Sequence, residues 1–92
     1  MTHVYLLQSL RYPNQRYVGS TSDVGARVGE HNAGRSPHTA KYAPWELVAS
    51  VTFPDNRQAL AFERYLKSGS GRAFARRHFD RCRQRTRGAI EQ

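Results

Sequence analysis

The sequence predicts a small α+β domain: a three-stranded, mostly antiparallel sheet flanked by helices, in the order ββαβαα. Three observations carry that prediction. Ninety-two residues at 38% hydrophobic content suffice for one thin core. HVYLLQS, RYVGST and WELVASVTF are short segments of strand character bounded by turn chemistry. The first two are adjacent, and helical patterns follow the second and third.

His3 to Ser9 is apolar and reads as the first strand. Tyr12-Pro13-Asn14-Gln15 supplies a turn, because proline fixes φ and asparagine tolerates the left-handed region. Tyr17 and Val18 then continue as a second strand, closing a hairpin. Ser22 or Asp23 can cap a helix from Val24 to about Ala33, with Gly34 at its C-terminal end. Gly25 and Gly29 weaken that helix, so packing must hold it. Gly34 to Pro44 reads as a polar loop. Trp45 to Phe53 is the third strand, stopped by Pro54. Asp55 or Asn56 caps a second helix from Arg57 to about Ser68, which Gly69-Ser70-Gly71 breaks. Arg72 to about Arg85 reads as a third helix with Phe74, Phe79 and Cys82 as its sparse apolar residues. The whole forms a single domain over 1–92, with a core at about 3–80 and a basic helix and tail at about 72–92.

A single cysteine, Cys82, excludes an internal disulfide and a thiolate metal cluster. No apolar run reaches the length of a membrane span, and no charged-then-apolar leader precedes Val4, so the expected location is the cytoplasm. Fifteen Lys and Arg face seven Asp and Glu, for a net charge of +8. Thirteen of the fifteen are arginine, and Arg72, Arg76, Arg77, Arg81, Arg83, Arg85 and Arg87 crowd the C-terminal part. The planar guanidinium fork matches phosphate oxygens and points to a polyanionic partner; a solvated basic helix face also satisfies the charge.

The chain lacks HExxH, paired cysteines, a nucleophile elbow, a P-loop and GxGxxG. What remains is Tyr5 and Tyr17 on adjacent strands, Arg27 and His31 one helical turn apart, and Glu63. Val24, Arg27, Val28 and His31 share a helix face, with Arg27 and His31 expected at the edge of its buried stripe. Glu63 falls beside the apolar residues Ala59, Phe62 and Leu66, where a carboxylate needs a partner: an arginine, a metal, or solvent. Lys67, at i+4, is the ordinary ion-pair alternative. These parts suit phosphodiester chemistry with one hard cation. Glu63 can hold Mg²⁺, Arg27 can neutralise a phosphoryl oxygen, and a tyrosine or His31 can orient or deprotonate water.

These residues also resemble the GIY-YIG nuclease domain, in the form of its small stand-alone bacterial members. His3-Val4-Tyr5 stands where Gly-Ile-Tyr names the family, and Tyr17-Val18-Gly19 where Tyr-Ile-Gly does. Arg27, His31 and Glu63 follow in order, and HTAKYAPWELV and AFERYLKSGSGRAF are similar to stand-alone members. The first motif departs from the pattern by lacking its glycine. The resemblance covers about Val4 to Phe79. It implies a divalent-metal-dependent DNA endonuclease acting on single-stranded or branched DNA in repair or DNA processing. One Mg²⁺, replaceable by Mn²⁺, would sit on Glu63; Arg27 would bind the scissile phosphate; Tyr5, Tyr17 or His31 would activate the water. Lys41 in the polar loop and Arg72, Arg76, Arg77 and Arg81 of the last helix are the expected nucleic-acid contacts. The alternative is a nucleic-acid-binding module with the same fold and no turnover.

Overall fold

The computed structural model of the chain describes residues 1–79. Its elements are β1 (Thr2–Ser9), β2 (Arg16–Thr21), α1 (Val24–Asn32), α2 (Pro37–Ala40), β3 (Trp45–Phe53), α3 (Asn56–Lys67) and α4 (Gly69–Phe79). The sheet order is β2-β1-β3, and both pairings are antiparallel. The expected α+β architecture is present, with a one-turn helix added in the loop before β3.

β1 is the central strand, and Val4 to Ser9 are all buried. Helices cover it on both sides, which is why its sequence runs apolar instead of alternating. Val4 and Leu6 face α3 and α4, packing with Ala59, Leu66 and Ala75. Tyr5 and Leu7 face the other way, packing with Trp45, Val24 and Val28. The period of two along a strand thus divides the core into two layers.

The helix ends follow from their caps. The Asp23 carboxylate accepts from Ala26 N–H and opens α1; Gly34, at φ 78°, takes the left-handed step after it. Asp55 accepts from Arg57 N–H and opens α3. The expected break at Gly69-Ser70-Gly71 is instead the start of α4, three residues before the helix start expected at Arg72. The Ser68 hydroxyl accepts from Gly71 N–H at 3.1 Å and begins the new helix. Gly71 is required by proximity: a Cβ there would collide with the backbone of Tyr65 and Leu66. The expected extension of this helix to Arg85 lies outside the described residues. Among the described residues no helix is long and apolar enough to cross a membrane.

Candidate active site

The hairpin and α1 together build a polar cluster. Tyr5 and Tyr17 lie on the α1 face of β1 and β2, and their ring centroids are 6.1 Å apart. Tyr5 pairs across the ladder with Gly19. A Cβ on Gly19 would stand 2.6 Å from Tyr5 Oη and 3.1 Å from Tyr17 Cε2. Only glycine leaves the phenol its place, so Gly19 serves the cluster and not merely the strand end.

His31 is fully buried, at the centre of the α1 face and not at its edge as expected. It can be, because both ring nitrogens have partners. Nε2 lies 3.1 Å from Tyr5 Oη, and Nδ1 lies 2.8 Å from Thr39 Oγ1. The Tyr17 ring packs on the imidazole with centroids 4.7 Å apart. The next residue, Asn32, clamps the end of α1 to β3. Its side chain donates to Trp45 O at 3.1 Å and accepts from Trp45 N–H at 2.5 Å. Trp45 in turn donates its Nε1–H to Thr39 O at 2.9 Å, fixing α2 over the histidine.

Burial holds the His31 pKa below its ordinary value. The positive charge of Arg27 acts in the same sense, and Glu30 opposes it. The imidazole is therefore neutral at rest. Burial raises the Tyr5 phenol; the nearby Arg27 guanidinium pulls it back, while the charges of Tyr17 and Glu63 add to the rise. Arg27 also donates to Glu30 Oε1 at 2.5 Å. Both of those side chains are partly exposed, so the pair is weak and can give way to an anion.

Glu63 approaches from the other side of the sheet. Ser20 follows Gly19 and so points to the α3 face, where its hydroxyl donates to Glu63 Oε1 at 2.9 Å. Lys67 donates to Oε2 at 3.0 Å, so the i,i+4 ion pair is formed. The carboxylate's charge nevertheless acts on Tyr5. Among the described residues β2 is an edge strand of the sheet, so side chains on both of its faces border that edge. The structure therefore gathers Tyr5, Tyr17, Arg27 and His31 directly and brings Glu63 to the same strand edge. Among the described residues there is no group of three or more His, Cys, Asp and Glu side chains placed to hold a metal. Glu63 is a single carboxylate with its side chain 19% exposed. That suits a hard cation completed by water and substrate oxygens, and not one caged by protein.

A groove of about 590 Å³ runs along the α3–α4 side of β2, from the hairpin turn to Tyr17. Arg16, Lys67, Arg72 and Arg76 line it together with Gln8, Asn14 and Gln15, and among the described residues no carboxylate does. Arg72 and Arg76 thus share one cationic surface. Arg77 is exposed and lies outside that lining; Lys41 is exposed, its ammonium 5.3 Å from the Tyr42 ring centroid. Arg81 lies outside the described residues. Sequence reasoning missed Thr39 altogether. Ser20 holds Glu63, and Thr21 Oγ1 accepts from Asp23 N–H ahead of α1.

The model of the GIY-YIG catalytic domain matches residues 1–78. The chain belongs to the GIY-YIG family. Within it, the chain is 43% identical over 67 residues to the structure-specific endonuclease subunit SLX1 of Homo sapiens, covering 65% of this chain and 24% of that one. It is 42% identical over 65 residues to the corresponding subunit of Talaromyces stipitatus, covering 64% and 17%. The chain thus spans only about a fifth of these curated relatives. Both are eukaryotic and lend no support to the bacterial branch expected from the sequence. A solved structure, that of a UPF0213 protein of Bacillus halodurans, superposes with a TM-score of 0.54 at 26% identity, covering 95% of this chain and 96% of its own.

Proposed function

We propose that this GIY-YIG domain is a metal-dependent DNA endonuclease that hydrolyses phosphodiester bonds in single-stranded or branched DNA, in repair or DNA processing. One observation carries the reading: Arg27, Tyr5 and His31 form a contiguous cation, phenol and base beneath Gly19. The endonuclease names of the relatives support it, as does the cationic groove on the same edge strand, which Tyr17 helps to line.

His31 and Tyr5 are both buried, and Tyr5 stands between the imidazole and the Arg27 side of the site, so His31 acts on the reacting water through the Tyr5 hydroxyl, beside which the bound phosphate brings that water. In the reaction, Arg27 leaves Glu30 and binds a non-bridging oxygen of the scissile phosphate. The attacking water gives a proton to Tyr5 Oη as that oxygen passes its own proton to His31 Nε2. The water oxygen bonds to phosphorus, the P–O bond to the leaving oxygen breaks, and solvent protonates that oxygen. His31 ends as imidazolium and returns its proton to water through Tyr5. Tyr17 packs the imidazole in line and borders the groove. Glu63 would hold the divalent cation, Mg²⁺ or Mn²⁺, which when bound neutralises charge on the phosphate and the leaving oxygen. Arg72 and Arg76, with the more peripheral Lys41 and Arg77, would contact the phosphate backbone.

The test is incubation of purified protein with labelled single-stranded, duplex and branched DNA in Mg²⁺, Mn²⁺ or EDTA, with Arg27→Ala as the inactive control. Metal-dependent nicking by wild type and not by the variant supports the reading. Retention of DNA without cutting in any metal would mean a binding module.

A further inference from the structure

We propose that Thr39 is a positioning residue of this site: its hydroxyl oxygen accepts from His31 Nδ1–H and so keeps Nε2 bare to receive the Tyr5 proton. The inference rests on the endonuclease reading for its catalytic consequence, but the tautomer itself does not. Two hydrogen-bond arrangements fit the Tyr5–His31–Thr39 row. In one, protons run from Tyr5 to Nε2, from Nδ1 to Thr39, and from Thr39 onward. In the other, Thr39 donates to Nδ1 and Nε2–H donates to Tyr5.

The surroundings select the first. Thr39 Oγ1 lies 3.4 Å from Ser36 O, a carbonyl that can only accept, so the threonine proton has a place to go away from the histidine. At the far end, Tyr5 Oη already faces the Arg27 guanidinium, which can only donate. Were Nε2 also a donor, the Tyr5 proton would lack an acceptor, since among the described residues His31 Nε2 is the one the structure gives it. A buried hydroxyl without an acceptor is costly. Thr39 is itself only 2% exposed, so water does not compete for Nδ1. Its backbone is fixed at both ends of α2: Thr39 N–H donates to Ser36 O, and Thr39 O accepts from Trp45 Nε1–H. A residue whose hydroxyl decides which histidine nitrogen is basic shapes the reaction without touching the substrate.

The experiment pairs imidazole ¹⁵N NMR with single-turnover cleavage. In metal-free, DNA-free wild type at neutral pH, His31 should show a protonated Nδ1 and a bare Nε2. Thr39→Val keeps the side-chain shape but not the acceptor; it should mix the tautomers. It should also cut about 10- to 100-fold more slowly at saturating DNA while binding DNA as tightly as wild type. Thr39→Ser should restore both the tautomer and the rate. A wild-type His31 protonated on Nε2, or a Thr39→Val variant cutting at the wild-type rate, overturns the proposal. If wild type cuts no DNA, the endonuclease reading fails by itself, and the NMR result still decides the tautomer.

Discussion

Tyr5 Oη lies 3.1 Å from His31 Nε2 although the residues are 26 positions apart, and both are sealed within the sheet–α1 layer. A buried phenol on a neutral imidazole is a proton path with one exit, toward Gly19 and Arg27. Tyr5→Phe removes the oxygen and little else. Cleavage should fall by about 10²- to 10⁴-fold, the range for loss of a positioned acid–base group. The ring still fills its place, so the melting transition should move little. Single-turnover rates and thermal unfolding on the same preparation check both halves.

Gly19→Ala tests the space above that phenol. The new methyl would stand 2.6 Å from Tyr5 Oη and 2.8 Å from Tyr5 Cζ, and the ring cannot swing aside because His31 and Tyr17 hold it. Overpacking of this kind costs about 1–3 kcal/mol. Denaturant unfolding should show that loss, and cleavage should fall with it. A variant as stable as wild type would mean the ring relaxes where the contacts say it cannot.

The pH dependence follows from His31. Its folded pKa lies below the ordinary 6.5 because of burial first and Arg27 second. As pH falls below that ordinary value, the unfolded chain takes up a proton that the folded chain refuses. Stability therefore declines on acidification through the window between the two values, and it is fully present above the unfolded pKa. Thermal unfolding from about pH 7 to about pH 5 should show a decline that His31→Gln flattens, since glutamine does not titrate there. Protonation also fills Nε2, so the acid limb of the cleavage profile should lie below the ordinary imidazole range.

Much of this was legible in the chain. The sequence put Tyr5 and Tyr17 on adjacent strands and Val24, Arg27, Val28 and His31 on one helix face, and the structure packs Val24, Val28 and His31 of that face against the tyrosines. The depth of His31 was not legible, because its second partner, Thr39, comes from a four-residue helix too short to leave a periodic trace. Gly71 was misread as a helix breaker because glycine marks close backbone approach as often as a turn, and the neighbour that decides between them, Tyr65, lies in another helix. The side of the sheet from which Glu63 arrives was hidden in the alternation at Gly19 and Ser20, where one residue makes room for the phenol and the next holds the carboxylate.

The groove makes a separable prediction. Arg72 and Arg76 line it with Arg16 and Lys67, while Arg77 stands outside. Replacing Arg72 and Arg76 by alanine should weaken single-stranded DNA binding. It should also reduce the slope of log K against log salt by about 1.4, two contacts at roughly 0.7 each. Arg77→Ala should change the slope by less than one contact. Fluorescence anisotropy over a salt series checks this, and equal effects from Arg72 and Arg77 would disperse the contact over the helix surface.

Glu63→Gln decides between the two things this carboxylate can be. In the free protein it accepts from Ser20 Oγ at 2.9 Å and from Lys67 Nζ at 3.0 Å. If that is its whole function, the lysine pair contributes at most about 1 kcal/mol, since Lys67 is largely exposed. Glutamine retains an oxygen for the Ser20 hydroxyl and a similar helix propensity, so the fold and the junction of α3 with β2 should hold. What glutamine loses is the negative charge, which a hard cation prefers strongly over a neutral amide. If Glu63 holds the catalytic cation, metal-dependent cutting should fall by orders of magnitude, because the leaving oxygen then carries its charge without neutralisation. DNA binding measured in Ca²⁺ should be retained, since every groove cation and Arg27 remain and Lys67, released from its ion pair, adds to the groove's positive charge. The two readings therefore agree on a folded, DNA-binding protein and part company only in turnover. Single-turnover cleavage at saturating Mg²⁺, set beside the Ca²⁺ binding curve, separates them. A Gln variant that cuts near the wild-type rate would leave Glu63 as a strut between Ser20 and Lys67, and the cation would need another holder.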